Sequence, residues 1–119
     1  MLRREAYDQL ARVLLVPAEV LHAPHLLDVE VAHVLRRLEQ AGTLSSVRAE
    51  EALDDLRALR IVRHPTLALL DRVWALRRNL SAYDALYVAL AEALEAPLVT
   101  TDQRLSRAPG HAARVIVAQ

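Results

Sequence analysis

The segment from Leu80 to Leu105, LSAYDALYVALAEALEAPLVTTDQRL, places a helix start and a strand end close together in the chain. Ser81 is followed three residues later by Asp84 and then by an apolar run, which is the pattern of a helix N-terminus. Residues 98–101, Leu-Val-Thr-Thr, predict a short buried strand that stops at Asp102. In open α/β sheets the ligand crevice lies at the carboxyl ends of the strands, so Asp102 is expected at the rim of such a crevice.

A second helix is predicted over residues 25–41, HLLDVEVAHVLRRLEQA, after Pro24 and before Gly42. Its apolar residues recur at helical spacing and form one face. At about 100° per residue, Glu30 falls on the edge of that face. A carboxylate there faces neither open water nor the centre of the core, and it can line a cleft.

Glu30, Asp84 and Asp102 together would supply the hard oxygen ligands that Mg²⁺ or Mn²⁺ takes, with room left for water and substrate phosphate. A metal held in this way can activate water for phosphodiester hydrolysis and stabilise the charge on the leaving oxygen. Their spacing in the sequence does not show that the three carboxylates meet.

Each acid also has a purely local interpretation. Asp84 can cap its own helix, and Asp102 can start the turn QRLS by bonding to its own backbone. Glu30 can pair with His33 at i,i+3 spacing. Ser81 is explained by N-capping, because no adjacent base is predicted that would make it a nucleophile.

The chain resembles the PIN-domain ribonucleases, and more narrowly the VapC toxins of bacterial toxin–antitoxin pairs. The resemblance is carried by HAPHLLDVEVAHVLRRL at 22–38, RHP at 63–65 and LSAYDALYVALAEALEAPLVTTDQRLSRAPGH at 80–111. It implies a three-layer α/β/α fold with a parallel sheet, and a metal-dependent endoribonuclease that cuts cellular RNA. It also implies a Mg²⁺ or Mn²⁺ cofactor and a cognate VapB-like antitoxin that blocks the acidic pocket.

The resemblance assigns roles residue by residue. It implies that Glu30, Asp84 and Asp102 are the catalytic metal ligands, with a hydroxyl at Thr100 or Thr101 in support. Arg104 and Arg107 follow Asp102 closely and are the candidate RNA contacts, although a pair of arginines is also a common solvated surface. Independently of the resemblance, we take Ser81, at the start of the helix that carries Asp84, as a further supporting residue.

The N-terminus departs from the family pattern. The family opens with a strand of the form V-x-D-x-S, which supplies a first metal-binding Asp and is the middle strand of the sheet. This chain opens MLRREAYDQLARVLL, where apolar Leu2, Ala6 and Leu10 recur at helical spacing. We therefore expect an N-terminally incomplete domain over residues 1–119, without the central first strand, with either a gap in the sheet or closure of it.

That departure leaves two classes of function open. The first is a ribonuclease toxin whose activity is weak or absent in the chain as written. The second is a catalytically inactive relative that binds an antitoxin or another copy of itself. Apolar residues at Leu2, Leu10, Leu14 and in the predicted helix 46–59 leave surface uncovered, so a homodimer, an antitoxin complex, or both are expected.

Composition limits the remaining classes. With 119 residues and 54% apolar content, one domain with a real core is expected. The absence of cysteine excludes disulfides and thiolate zinc sites. No apolar run reaches transmembrane length and no signal-peptide pattern opens the chain, so a cytoplasmic protein without membrane contact is expected. All fifteen basic residues are arginine and the net charge is zero, so any RNA contact must come from a local cluster.

Further strands and helices are predicted between these motifs. Residues 66–78 predict a helix with Leu67, Leu70, Trp74 and Leu76 apolar, and Trp74, Tyr83 and Tyr87 are predicted to be core residues rather than platforms for bases. Short strands are predicted at 19–23, 61–63 and 113–117. The histidines are predicted to be surface or packing residues: His22, His25, His33, His64 and His111.

Overall fold

A computed structural model of the chain describes residues 14–15, 20–100 and 102–117. The helix predicted from Leu2 to Val13 lies outside these residues. Leu14, assigned to the end of the same helix, lies instead in a strand.

Short strands alternate with helices, as predicted. The strands are β1 (Leu14–Leu15), β2 (Leu21–Pro24), β3 (Ile61–His64), β4 (Leu98–Thr100) and β5 (Val115–Val117). The helices are α1 (Leu26–Gln40), α2 (Ser46–Ala58), α3 (Leu70–Ala75, preceded by a 3-10 turn at Leu67–Leu69), α4 (Ala82–Leu94) and α5 (Gln103–Arg107).

The five strands form one sheet in the order β3-β2-β1-β4-β5. The pairs β2–β3 and β4–β5 are parallel, while β1 is antiparallel to both of its neighbours. The strands β2 to β5 therefore run in one direction, and their carboxyl ends share one edge of the sheet. The α/β class is confirmed, with a parallel sheet whose middle strand runs the opposite way.

The middle of the sheet is closed rather than open. Leu15 is the register partner of both His22 in β2 and Leu98 in β4, and Leu14 is the partner of Val99. Unpaired N–H and C=O groups on the inner edges of β2 and β4 would be costly if buried, and even a two-residue strand pairs with both edges. Of the two outcomes expected for the sheet, a gap or closure, the structure shows closure.

Helix α1 ends where the sequence predicts. Gly42 follows it with φ +72°, a left-handed conformation that glycine adopts without steric cost. Its N–H donates to the carbonyl oxygen of Glu39 at 3.0 Å, and the N–H of Thr43 donates to that of Leu38 at 3.0 Å. These bonds satisfy carbonyls that the end of a helix leaves free.

Helix α4 forms the centre of the core. Its residues 85–91 are all buried, so this helix is covered on every side. It packs against α3 and against the strands β2 and β4. The helix that begins at Ser81 is therefore held rigidly at the sheet, which positions the first turn that carries Asp84.

The segment 66–78 differs from its prediction. Its 3-10 turn advances about 120° per residue rather than 100°, which changes the phase of the side chains before α3 begins. Leu76 is 1% exposed, whereas Leu67 is 81% and Trp74 66% exposed. The prediction that Trp74 is a core residue is thus wrong, and Leu70 is also exposed.

Candidate functional site

Asp84 lies in the first turn of α4, half-buried, beside the N-cap Ser81. The Ser81 hydroxyl accepts a hydrogen bond from the backbone N–H of Asp84 at 3.1 Å. The serine thus caps the helix, and the Asp84 carboxylate lies in the first turn behind that cap. The predicted N-capping role of Ser81 is confirmed.

Asp102 follows β4 and is half-buried as the N-cap of α5. Its backbone N–H donates to the hydroxyl oxygen of the fully buried Thr100 at 3.0 Å. Thr100 therefore supports Asp102 through the backbone, at the carboxyl end of the strand. Thr101, the other hydroxyl proposed for support, lies outside the described residues.

The Asp102 carboxylate makes several contacts with Arg104. One oxygen accepts the backbone N–H of Arg104 at 2.9 Å, and the guanidinium bonds to the two carboxylate oxygens at 3.0 and 2.8 Å. The local turn considered from the sequence is thus present. The Asp102 side chain is 15% exposed and that of Arg104 84%, so the arginine covers the acid from the solvent side.

Asp84 acts on the same arginine. The hydrogen-bonded Asp102 carboxylate is the main cause that raises the pKa of Arg104 above its ordinary value, and the negative charge of Asp84 adds to the effect. Asp102 is therefore bonded to this guanidinium, and the charge of Asp84 acts on it from the first turn of α4.

Glu30 reaches α4 through a different contact. It lies half-buried on α1, and its carboxylate accepts a short hydrogen bond from the hydroxyl of Tyr87. Tyr87 is otherwise buried in the core, one helical turn after Asp84. The sequence suggested His33 as a partner of Glu30, whereas the structure gives Tyr87 from another helix.

The contact of the Tyr87 hydroxyl with Glu30 was not predicted from the sequence, although the sequence contains a feature that indicates it. A tyrosine in an otherwise apolar buried helix brings a hydroxyl that needs a partner. The i,i+3 spacing from Asp84 puts that hydroxyl on the side of α4 that carries the acid.

The three acids do not surround one point. Within residues 20–100 and 102–117, no three His, Asp or Glu side chains form a group that could hold a metal ion. Glu30 is bonded to Tyr87, and Asp102 is bonded to Arg104. The carboxylate donors match Mg²⁺ or Mn²⁺ in chemical type, and in this arrangement the Tyr87 hydroxyl holds Glu30 and the Arg104 guanidinium holds Asp102.

The candidate RNA contacts lie on the surface. Arg104 and Arg107 are both exposed on α5. Tyr83, predicted as core, is 61% exposed next to Asp84, and the guanidinium of Arg77 lies 4.4 Å from the centre of the exposed Trp74 ring. The core assignment was therefore right for Tyr87 and wrong for Trp74 and Tyr83.

Two histidines far apart in the sequence meet at the β2–β3 pair. Nδ1 of His22 lies 2.9 Å from Nε2 of His64, a hydrogen bond in which one ring must be the acceptor. Burial, followed by the charges of His22 and His25, lowers the pKa of His64. The sequence did not predict this contact, because no local pattern joins residues 42 positions apart.

A second charged cluster ties α3, α4 and the loop before β5 together. The Arg72 guanidinium bonds to both carboxylate oxygens of Glu92 at 2.7 and 2.8 Å and to the carbonyl oxygen of Gly110 at 3.1 Å. Glu92 also accepts the backbone N–H of Ala112 at 2.6 Å. These contacts hold the chain between α5 and β5 against the C-terminal half of α4.

Glu92 is expected to make folding sensitive to acid. The hydrogen bond from Arg72 is the largest cause that holds the pKa of Glu92 below its ordinary value of 4.5. A carboxylate with a lowered folded-state pKa stabilises the protein fully above the unfolded value, and that contribution is lost as the pH falls through the folded value. The unfolding free energy of the wild type should therefore drop more steeply below about pH 4.5 than that of Glu92→Gln.

Urea unfolding between pH 7 and pH 3 measures this difference. At pH 7 Glu92→Gln should cost roughly 1–3 kcal/mol, as expected for loss of hydrogen bonds to a charged group. The matched control is Glu51→Gln, because Glu51 pairs with Arg48 on an exposed helix face. Parallel pH profiles for the wild type and Glu92→Gln would contradict the prediction.

No helix in the part of the chain that the structure describes is long and apolar enough to cross a membrane.

Comparison with known proteins defines the class of this fold and site. A sequence model of the PIN domain matches residues 1–111. The VapC ribonuclease Mb0985 of Mycobacterium bovis is 53% identical over 92 residues, covering 77% of this chain and 72% of that protein. Ribonuclease VapC9 of Mycobacterium tuberculosis matches to the same extent, and Ribonuclease VapC1 of that species is 48% identical over 97 residues, covering 81% of this chain and 73% of its own length.

The chain therefore belongs to the PIN-domain family and, within it, to the VapC ribonucleases. The resemblance carried by residues 22–38, 63–65 and 80–111 is confirmed.

Proposed function

We propose that this protein is the ribonuclease toxin of a toxin–antitoxin pair and cuts cellular RNA with the help of Mg²⁺ or Mn²⁺. The observation that carries the proposal is the half-buried Asp102 at the carboxyl end of β4, which is bonded to Arg104, the arginine on which the charge of Asp84 also acts. Membership in the VapC ribonucleases supports the reaction class. The donor types and the sheet edge support the cofactor.

Glu30, Asp84 and Asp102 are the residues that would hold the metal. When bound, the metal would supply activation of water and stabilisation of charge on the phosphodiester. Arg104 must release the Asp102 carboxylate before that acid can serve a cation. Since the Arg104 side chain is 84% exposed, it can rotate into solvent without disturbing the core.

The chain's own groups would prepare this site. Tyr87 orients the Glu30 carboxylate by hydrogen bonding, and Thr100 orients the backbone of Asp102. Arg104, once turned away from Asp102, is placed to meet an RNA phosphate, and Arg107 lies one helical turn further on. Tyr83 offers an exposed ring next to Asp84 on which an unpaired base can stack.

The proposed protein partners are a VapB-like antitoxin and a second copy of the chain. Leu67, Leu70 and Trp74 are exposed near α3, and Val47 is exposed on α2. Exposed large apolar side chains of this kind favour protein contact. The same observation favours the second candidate function, an inactive interaction protein that binds an antitoxin or itself.

An RNA cleavage assay separates the two functions. The family supplies a further Asp from a first strand of the form V-x-D-x-S, and residues 1–119 contain no such segment. We expect the protein of residues 1–119 to cut total cellular RNA weakly or not at all in Mg²⁺ or Mn²⁺. A chain extended at its N-terminus with that strand should cut at least about 100-fold faster, because Mg²⁺ requires near-octahedral oxygen coordination.

Several outcomes are informative in this assay. Cleavage by the extended chain that stops in excess EDTA supports the metal-dependent ribonuclease. Equal cleavage by both chains would show that the three acids suffice without the added Asp. No cleavage by either chain, together with tight binding to the antitoxin, would favour the interaction protein.

A further inference from the structure

The pair formed by His22 and His64 has no part in the proposed ribonuclease site. The two rings project from neighbouring parallel strands, and their centres are 5.2 Å apart with the planes inclined by 35°. Both side chains are partly buried, and the facing nitrogens are 2.9 Å apart. We propose that His22 and His64 form a binding site for a transition-metal ion such as Zn²⁺.

The distance between the two nitrogens supports this assignment. Zn²⁺ binds imidazole nitrogen at about 2.0–2.1 Å in tetrahedral geometry, which places two nitrogens on the same ion about 3.3–3.4 Å apart. The observed 2.9 Å separation between Nδ1 of His22 and Nε2 of His64 is therefore short by about half an ångström. A small rotation of either ring provides that opening, and the ion then replaces the shared proton.

The nearest arginine does not oppose a cation at the pair. The guanidinium of Arg63 bonds to both carboxylate oxygens of Asp28 at 2.7 and 2.8 Å, which neutralises its charge. Arg63 thus adds little repulsion against a bound cation.

His25 is the candidate third ligand. Its backbone N–H donates to the carbonyl oxygen of His64 at 3.1 Å, and its side chain is exposed and able to rotate. The three imidazoles are not assembled into a three-ligand cluster within the described residues. The ion would therefore be held first by His22 and His64, with water in the remaining positions.

Such an ion would cross-link β2 and β3. His22 is the second residue of β2, and His64 is the last residue of β3, where it pairs in register with Pro24. A ligand that binds only the folded state raises its stability. Zinc binding would thus stabilise one end of the sheet independently of any nuclease activity.

Two measurements on the protein of residues 1–119 test the site: thermal unfolding in the presence of ZnCl₂, and isothermal titration calorimetry of Zn²⁺ binding. At a free Zn²⁺ concentration about ten times the dissociation constant, the wild type should gain on the order of 5 °C in Tm. His22→Gln and His64→Gln should each lose the gain and weaken Zn²⁺ binding at least about tenfold, because a single imidazole is left. His33→Gln, on the exposed face of α1, is the matched control and should keep both.

Further measurements keep the result interpretable if a variant is destabilised. Imidazole NMR resonances of His22 and His64 should shift on Zn²⁺ addition in the wild type, and Asp102→Asn should leave these shifts unchanged. Binding should weaken at least about tenfold between pH 7.5 and pH 5.5, since protons compete for the rings. A wild type without any zinc-induced shift, or zinc binding lost in Asp102→Asn but kept in His64→Gln, would overturn the proposal.

Discussion

Asp84→Asn and Asp102→Asn are each expected to lower RNA cleavage by at least about 100-fold in the chain extended with the V-x-D-x-S strand. An asparagine keeps the size of the side chain but loses the negative charge that a divalent metal requires. Cleavage of total cellular RNA in Mg²⁺, followed on denaturing gels, measures the effect. The fold should survive both changes, because each acid is only half-buried.

Two controls make this result specific to the site. Asp71→Asn alters an exposed acid in the first turn of α3 and should leave the cleavage rate unchanged. The double variant of Asp84 and Asp102 should lose little more than either single variant, because residues that act as a unit are not additive. Full activity in Asp102→Asn would show that Asp102 is not a catalytic residue.

Two leucines of the segment 66–78 are expected to contribute very differently to the stability of the protein. Leu76→Ala should lower the unfolding free energy by about 2–5 kcal/mol, because the leucine is 1% exposed within the core. Leu67→Ala should change it by about 0.5 kcal/mol or less, because that side chain is 81% exposed. Urea unfolding of the two variants beside the wild type measures the contrast.

This pair of variants also tests the exposure of Leu67. Leu67 and Leu76 are nine residues apart, which places them on opposite faces of a regular helix. Equal losses in the two variants would contradict the difference in burial between the two leucines. If Leu67→Ala also weakens antitoxin binding or self-association, the exposed leucine belongs to a protein interface.

Most helices and the strand before Asp102 were predictable from short stretches of sequence. Caps, glycine stops and apolar periodicity act within about one turn of the residue concerned, so Ser81, Gly42 and the apolar run of α4 mark their elements directly. The placement of Asp102 after a buried strand is equally local. The family resemblance drew on these same segments.

The rotation of α3 was not predictable in this way. A 3-10 turn and an α-helix have nearly the same composition, and the choice between them depends on what the segment packs against. Packing on α4 favours Val73 and Leu76 as the buried residues and turns Leu67 and Trp74 outward. The exposed apolar face and the Trp74–Arg77 contact follow from that choice.

The contacts that join distant segments came from the tertiary structure. Leu14–Leu15 pairs with β2 and β4 because the inner edges of those strands need hydrogen-bond partners. Two leucines do not by themselves predict a strand. Tyr87 reaches Glu30 across 57 positions, and His22 reaches His64 across 42. The sequence thus specifies which residue types each element carries, whereas the packing of the elements selects their partners, because such contacts depend on distances that local propensity does not encode.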